Sequence, residues 1–295
     1  VAEAQIIPFR DHGRVPVQSF DTAAALAFLR RRITGDYEID DFGFDADLTK
    51  SAVLPLTRQV YRRWFRTELV GAGSVPRNGG GLVVANHAGA LWALDSVMAA
   101  TAVHEATGRQ RFLRMLGADI VFLNPLLANL ARHSGATLAT RANTERLLHA
   151  GELVGVWPEG FKGIGKPFSE RYKLQRFGRG QFVAAALRAR VPIIPTSIVG
   201  SEEIHPMLGN AALLAKLLKL PYFPLTPTFP WLGPLGLLPL PSKWLIEFGD
   251  PIETAHYGPD AADDARLVFE LTDRVREQIQ STLSRLRAQR ASVWR

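Results

Sequence analysis

The chain has 295 residues, enough for one large α/β domain with a sizeable core, and a formal net charge of +7. With 47% hydrophobic and 21% charged residues it is no disordered chain, and without cysteine it has no disulfide, thiolate nucleophile or zinc–thiolate site. The basic excess suits anionic partners, and the clusters Arg30-Arg31-Arg32 and Arg62-Arg63 sit beside apolar residues, as a lipid headgroup, a nucleic-acid backbone or plain solubility would each allow.

Residues 1–20 carry no period and read as an arm; no secretory signal peptide opens the chain, which starts at Val1. Asp21 is placed to cap a helix to about Arg32, with Ala25, Leu26 and Leu29 inward. The acidic stretch 36–47 reads as a loop, and Asp47 caps a second helix to about Leu69, broken or kinked near its start by Pro55. Val60, Trp64 and Phe65 stand beside Arg58, Arg62, Arg63 and Arg66, a pattern of an interfacial helix or of a core helix with a solvated basic face.

Leu82-Val83-Val84-Ala85 reads as a buried strand, followed by a helix over 95–107. Further strands are expected at 137–139, 153–157, 192–198 and 244–248, with helices near 143–150, 178–190, 210–219 and 262–289. This alternation predicts a single α/β domain, a mixed, mostly parallel sheet covered by helices, behind a helical N-terminal segment. Residues 220–242 carry no charge, but seven prolines exclude a regular spanning helix there. That segment is an apolar, turn-rich loop that covers a greasy tunnel, dips into a bilayer surface, or is a buried connection.

Three strand ends carry chemistry. Asn86-His87 follows the first strand, with Asp95 the acid within reach in sequence. Ligands gather at the carboxyl ends of strands in α/β sheets. Histidine serves as a general base near neutral pH when a carboxylate fixes its tautomer. The same residues also read as a turn histidine and a helix cap. Trp157-Pro158-Glu159-Gly160-Phe161-Lys162 follows the 153–157 strand, and Val191-Pro192-Ile193-Ile194-Pro195 is a strand bounded by prolines. Gly160 to Lys166 matches seven positions of a phosphate-binding P-loop, but Pro167 stands where Ser or Thr must hold magnesium. No Gly-x-Ser-x-Gly elbow is present.

In order, Asn86-His87…Asp95, Gly135–Arg141, Val156–Gly160 and Val191–Pro195 resemble the blocks of the glycerol-phosphate and lysophospholipid acyltransferase family, over roughly residues 55–255. The stretch 159–180 is similar to a subgroup with a longer His…Asp loop that includes relatives acylating neutral glycerides. The common family spacing puts the Asp five residues after the His, where this chain has Trp92.

The resemblance implies an acyltransferase domain over 51–295 behind an arm and helix over 1–50. It implies His87 as general base with Asp95 as its partner, and Arg141 holding an acceptor phosphate; Lys162, Lys173 or Arg176, cations near the second and third blocks, are expected to join Arg141 there. Asn86, Glu159 and Gly160 would line the acceptor's site. The donor would be acyl-CoA or acyl carrier protein, with no metal, no cofactor and no nucleic acid. The enzyme would sit peripherally on the inner face of the cytoplasmic membrane. A non-catalytic lipid-binding protein is the alternative of another class.

Overall fold

The computed structural model describes residues 22–294 apart from 90, 91, 124 and 219. Asp21 and the arm over 1–20 lie outside the described residues.

Nine strands are present among the described residues: β1 (Glu68–Val70), β2 (Gly81–Ala85), β3 (Leu113–Gly117), β4 (Ala136–Leu138), β5 (Leu153–Val156), β6 (Ile193–Val199), β7 (Gly209–Asn210), β8 (Pro224–Leu225) and β9 (Leu245–Phe248). Seven form one sheet in the order β1-β9-β6-β2-β5-β3-β4. The run β6-β2-β5-β3-β4 is parallel, and β9 turns antiparallel against β6. Mixed, mostly parallel α/β is therefore the fold, as the alternation predicted.

Burial on both faces explains why β2 and β6 read as unbroken apolar runs. Successive side chains point to opposite faces. Leu82 and Val84 thus enter the core layer under the helices Arg141–His149, Gln181–Ala189 and Ala265–Gln289. Val83 and Ala85 enter the opposite layer with Met98, Ala99 and Val103 of the helix Leu94–Ala106. The last helix buries Leu271, Val275, Ile279, Leu283 and Leu286, one stripe at helical spacing. Asp264 caps it by accepting from the backbone N–H of Arg266 and Leu267.

The N-terminal third departs from expectation. The helix Thr22–Thr34 buries no residue, and Leu26 and Leu29 are 67% and 52% exposed instead of inward. Charge ties it down: Arg31 pairs with Asp47 at 2.7 Å, and Arg32 with Asp45. Asp45, not Asp47, caps the second helical run, accepting from Leu48 N–H. Pro55 does not break that run. It opens the α-turns Leu54–Gln59 directly after a π-turn, Thr49–Val53, and the wider ring absorbs the missing donor.

The run ends at Trp64, and Glu68–Val70, expected as helix, is the edge strand paired with β9. The partner strand lies almost 180 residues downstream, so no local pattern announces it. Phe65 is fully buried and stacks on Trp244 at 4.5 Å. Arg58 and Arg62 both bind Glu105 at 2.7 Å. Much of the interfacial-helix pattern is thus core and ion pairs, while Trp64 stays 44% exposed beside exposed Arg62 and Arg63. The strand β3 and the helix Pro125–His133 went unread in the sequence.

Candidate active site

Parallel neighbours β6, β2 and β5 bring three chain segments to one edge of the sheet. Asn86-His87 leaves β2, Pro158-Glu159 leaves β5, and Ser201–Glu203 forms a turn after β6.

His87 Nδ1 stands 2.7 Å from Asp95 Oδ2. The eight-residue spacing is closed by a loop that turns back on itself. Ala88 N–H donates to the same Asp95 oxygen at 2.9 Å, and Ser96 N–H donates to the other at 2.8 Å. Gly89 makes the turn at φ +119, where a Cβ would lie 2.6 Å from the Trp92 carbonyl oxygen. Asp95 lies inside the first helical turn; the cap position is Ala93, which makes no side-chain bond. Asp95 is fully buried, while the His87 side chain keeps 15% exposure. An acceptor on Nδ1 fixes the proton there and leaves Nε2, which has no partner among the described residues, as the basic nitrogen. Burial pushes the imidazole pKa down. The charge and hydrogen bond of Asp95, helped by Glu159, outweigh this, so it rises above 6.5.

Glu159 ties two loops together. Its side chain is buried, Oε1 accepts from His87 N–H at 2.9 Å, and Oε2 accepts from Gln175 N–H at 2.6 Å. The path is so tight that a Cβ on Gly163 would sit 2.6 Å from Glu159 Cβ and 2.8 Å from the His87 carbonyl oxygen. Asn86 is likewise internal. Its amide donates to the Ile198 carbonyl at 3.0 Å and accepts from Ile198 N–H at 2.8 Å, pinning the end of β2 to β6.

Lys166 escaped the sequence reading except as part of the P-loop pattern. It is buried after the short helix Phe161–Ile164, 2.8 Å from Glu202 and 3.7 Å from Glu159. A P-loop lysine must reach a bound phosphate; this one is neutralised from within. Burial raises the Glu202 pKa to about 7, with Lys166 opposing the rise. Glu203 joins the Tyr172 hydroxyl and Arg290, whose nitrogen lies 2.7 Å away, so the last helix buttresses the same corner.

The four cations expected at an acceptor headgroup stay on the surface. Arg141 follows β4, three strand spacings from β2, or ~14 Å along the sheet edge. It pairs with Glu145 at 2.9 Å and Lys173 with Glu170 at 3.2 Å, while Lys162 and Arg176 are exposed, as is Gly160. No acid is shared among the four in the described residues.

The apolar segment 220–242 folds against the loops at the edge that bears His87. Its Pro224–Leu225 pairs with Gly209–Asn210, and Leu240 N–H donates to the Ile204 carbonyl at 2.9 Å. Trp92, standing where the common spacing has its acid, donates its indole N–H to the Leu237 carbonyl at 3.0 Å. Burial and the charge of Asp95 push the Tyr222 phenol pKa up. Outward the segment shows Trp231, Leu232, Leu235 and Leu238, each at least 57% exposed, beside Leu213 and Leu217 on the helix Ala212–Leu217. A broad cleft at the opposite, amino-terminal edge has its charges paired, Arg114 with Asp40 at 2.7 Å and Arg146 with Asp41 at 3.2 Å.

Among relatives, uncharacterized proteins of Mycobacterium bovis and Mycobacterium tuberculosis are 54% identical over 272 residues, covering 92% of this chain and 76% of theirs. One from Mycobacterium leprae is 53% identical, covering 92% of this chain and 74% of its own. The crystal structure of the 1-acyl-sn-glycerophosphate acyltransferase PlsC from Thermotoga maritima matches the fold with a TM-score of 0.51 at 15% identity, covering 92% of this chain and 97% of that one. The family profile described as Acyltransferase matches residues 66–199, which contain His87, Asp95 and Glu159. That profile's span holds the histidine–carboxylate pair at the parallel sheet edge, and the chain belongs to the acyltransferase family.

Proposed function

We propose that the enzyme moves a fatty acyl group from an acyl thioester, acyl-CoA or acyl carrier protein, to a hydroxyl of a lysophospholipid or related glycerolipid. The observation that carries this is the 2.7 Å contact of His87 Nδ1 with Asp95, which leaves Nε2 without a partner among the described residues on a ring that keeps 15% exposure. His87 Nε2 takes the hydroxyl proton as the oxygen attacks the thioester carbonyl. Asp95 steadies the imidazolium by charge and hydrogen bond. The tetrahedral intermediate expels the thiolate as the C–S bond breaks, and the imidazolium returns the proton to sulfur. The acyl group never rests on the protein. Glu159 and Asn86 hold the loop geometry, and Arg141, with Lys162, Lys173 or Arg176, meets the acceptor's headgroup.

We further propose peripheral binding to the cytoplasmic face of a membrane through the exposed apolar surface of 208–238. No helix among the described residues is long and apolar enough to cross a bilayer. Apolar insertion and a net charge of +7 would act together on anionic lipid.

One observation favours a neutral glyceride as second reading of the acceptor. Lys166, whose charge acts on His87, is already compensated by Glu202 and Glu159. The test is mass spectrometry of purified enzyme with acyl-CoA or acyl carrier protein against lysophospholipids and monoacylglycerol, with His87→Ala as control. Acylated product with wild type alone is expected, and its headgroup decides between the readings. No acylated glycerolipid from either donor would refute the proposal.

A further inference from the structure

The two edges of the parallel run β6-β2-β5-β3-β4 differ in what their connections show to solvent. At the carboxyl ends a large apolar side chain is exposed every time: Trp92 after β2, Leu123 after β3, Leu138 at the end of β4, Phe161 after β5 and Leu208 after β6. At the amino ends the connections 76–80, 108–112, 134–135, 150–152 and 190–192 expose none. The exposed leucines of the helix Thr22–Thr34 lie ahead of the sheet, on none of these connections. Scattered surface apolar residues need no explanation, but a set sorted onto one edge marks a surface that meets an apolar partner.

One part of that edge stands apart from the segment 208–238. Strand β3 ends at Gly117, a short turn spans Asp119–Phe122, and the helix Pro125–His133 follows. A surface helix ordinarily turns its apolar stripe to the core. This helix buries Ala128 but leaves Leu127 54% and Leu130 55% exposed, three residues apart on one face, and Leu123 just ahead of it is 75% exposed. The charge around the leucines suits anionic headgroups: from 118 to 141 the chain has Asp119 against Arg132 and Arg141. Arg132 is exposed, lies 5.1 Å from the centre of the Phe122 ring, and makes no ion pair among the described residues.

We propose that Leu123, Leu127 and Leu130 form a second lipid-contacting surface, which acts with the surface of 208–238 to seat the His87 edge against an anionic bilayer. The inference rests on the peripheral binding proposed above and adds where the second contact lies. Strands β6 and β3 are three strand spacings apart, ~14 Å, and β2 with His87 lies between them. A single apolar contact lets the protein pivot on the membrane. Two contacts on either side of β2 hold one tilt, so a lipid acceptor reaches His87 by moving laterally in the leaflet.

The chain has no cysteine, so single-cysteine variants of the full chain each carry one label. Leu123→Cys, Trp231→Cys and Asn78→Cys would be labelled with an environment-sensitive fluorophore; Asn78 is exposed at the amino edge. Each would be mixed with vesicles of phosphatidylglycerol and phosphatidylcholine, with and without nitroxide-bearing lipid. The labels at 123 and 231 should shift to the blue and be quenched by the nitroxide, and the label at 78 should do neither. Leu123→Ser with Leu127→Ser should lower vesicle affinity about tenfold and leave the thermal midpoint unchanged, because both side chains are exposed. A label at 231 in lipid with the label at 123 in water would overturn the second surface and leave peripheral binding standing. Both labels in water would remove peripheral binding itself, and this surface with it. A label at 78 in lipid would overturn the seating of the His87 edge. Unchanged vesicle affinity in the double serine variant would overturn the second surface, as would a lipid-free dimer in sedimentation that the variant splits, which gives the leucines to a second copy.

Discussion

Replacing Asp95 by asparagine separates a catalytic carboxylate from a helix-start residue. Oδ2 accepts from His87 Nδ1 and Ala88 N–H, and Oδ1 from Ser96 N–H. An amide has one oxygen for these three donors. With that oxygen toward His87, its NH2 meets Ser96 N–H, and one bond is lost inside a fully buried site. The cost is about 1–3 kcal/mol of stability, so the protein stays folded with a lower Tm.

The flipped amide donates to Nδ1, moves the ring proton to Nε2 and removes the base. In either orientation the charge that steadies the imidazolium is gone. We expect kcat to fall about 10³- to 10⁴-fold, and to vanish in His87→Ala. The pH profile adds a signed test. Because Asp95 raises the His87 pKa, wild-type kcat/KM should rise with pH through a midpoint above 6.5, and that midpoint should drop in Asp95→Asn. The stabilisation carried by the pair is fully present below 6.5 and is lost as pH rises through the raised value. Stopped-flow thiol release and calorimetry from pH 5 to 9 measure both. A folded Asp95→Asn enzyme with near-normal kcat would remove Asp95 from the mechanism.

Glu159→Gln should lower stability by about 1–3 kcal/mol in calorimetry, because both carboxylate oxygens accept from backbone N–H groups and Lys166 keeps only Glu202. Arg141→Ala should raise the KM of an anionic acceptor by about 3- to 10-fold with kcat unchanged, a modest effect because the side chain is exposed; unchanged saturation kinetics would take Arg141 out of the headgroup site. Trp231→Ser with Leu235→Ser should abolish flotation with anionic liposomes while His87-dependent turnover of a soluble short-chain acceptor persists, since both side chains point outward at about 70% exposure. Glu202 has the opposite pH sign to a stabilised carboxylate: with its pKa raised from 4.5 to about 7, thermal stability should fall as pH rises across that window, and Glu202→Gln should flatten the slope.

Sequence by itself determined the sheet edge that carries His87. Strand β2 ends in Asn86-His87 because Leu82 to Ala85 is an apolar run buried on both faces, and such a run followed by small residues is legible without partners. The last helix was legible for the same kind of reason, one apolar stripe behind an aspartate cap. Tertiary structure alone decided what each polar residue at that edge does. Asn86 and Glu159 look like ligand contacts in one dimension, but their amide and carboxylate satisfy backbone groups from strands and loops distant in sequence. Lys166 completed a phosphate-loop pattern until Glu202 was brought against it. Phe65 and its neighbouring arginines read equally as a membrane face or a core helix because Trp244 and Glu105, their partners, are not local. Periodicity reports which face an element buries, whereas the pairing of polar groups depends on long-range approach, which the folded chain alone supplies.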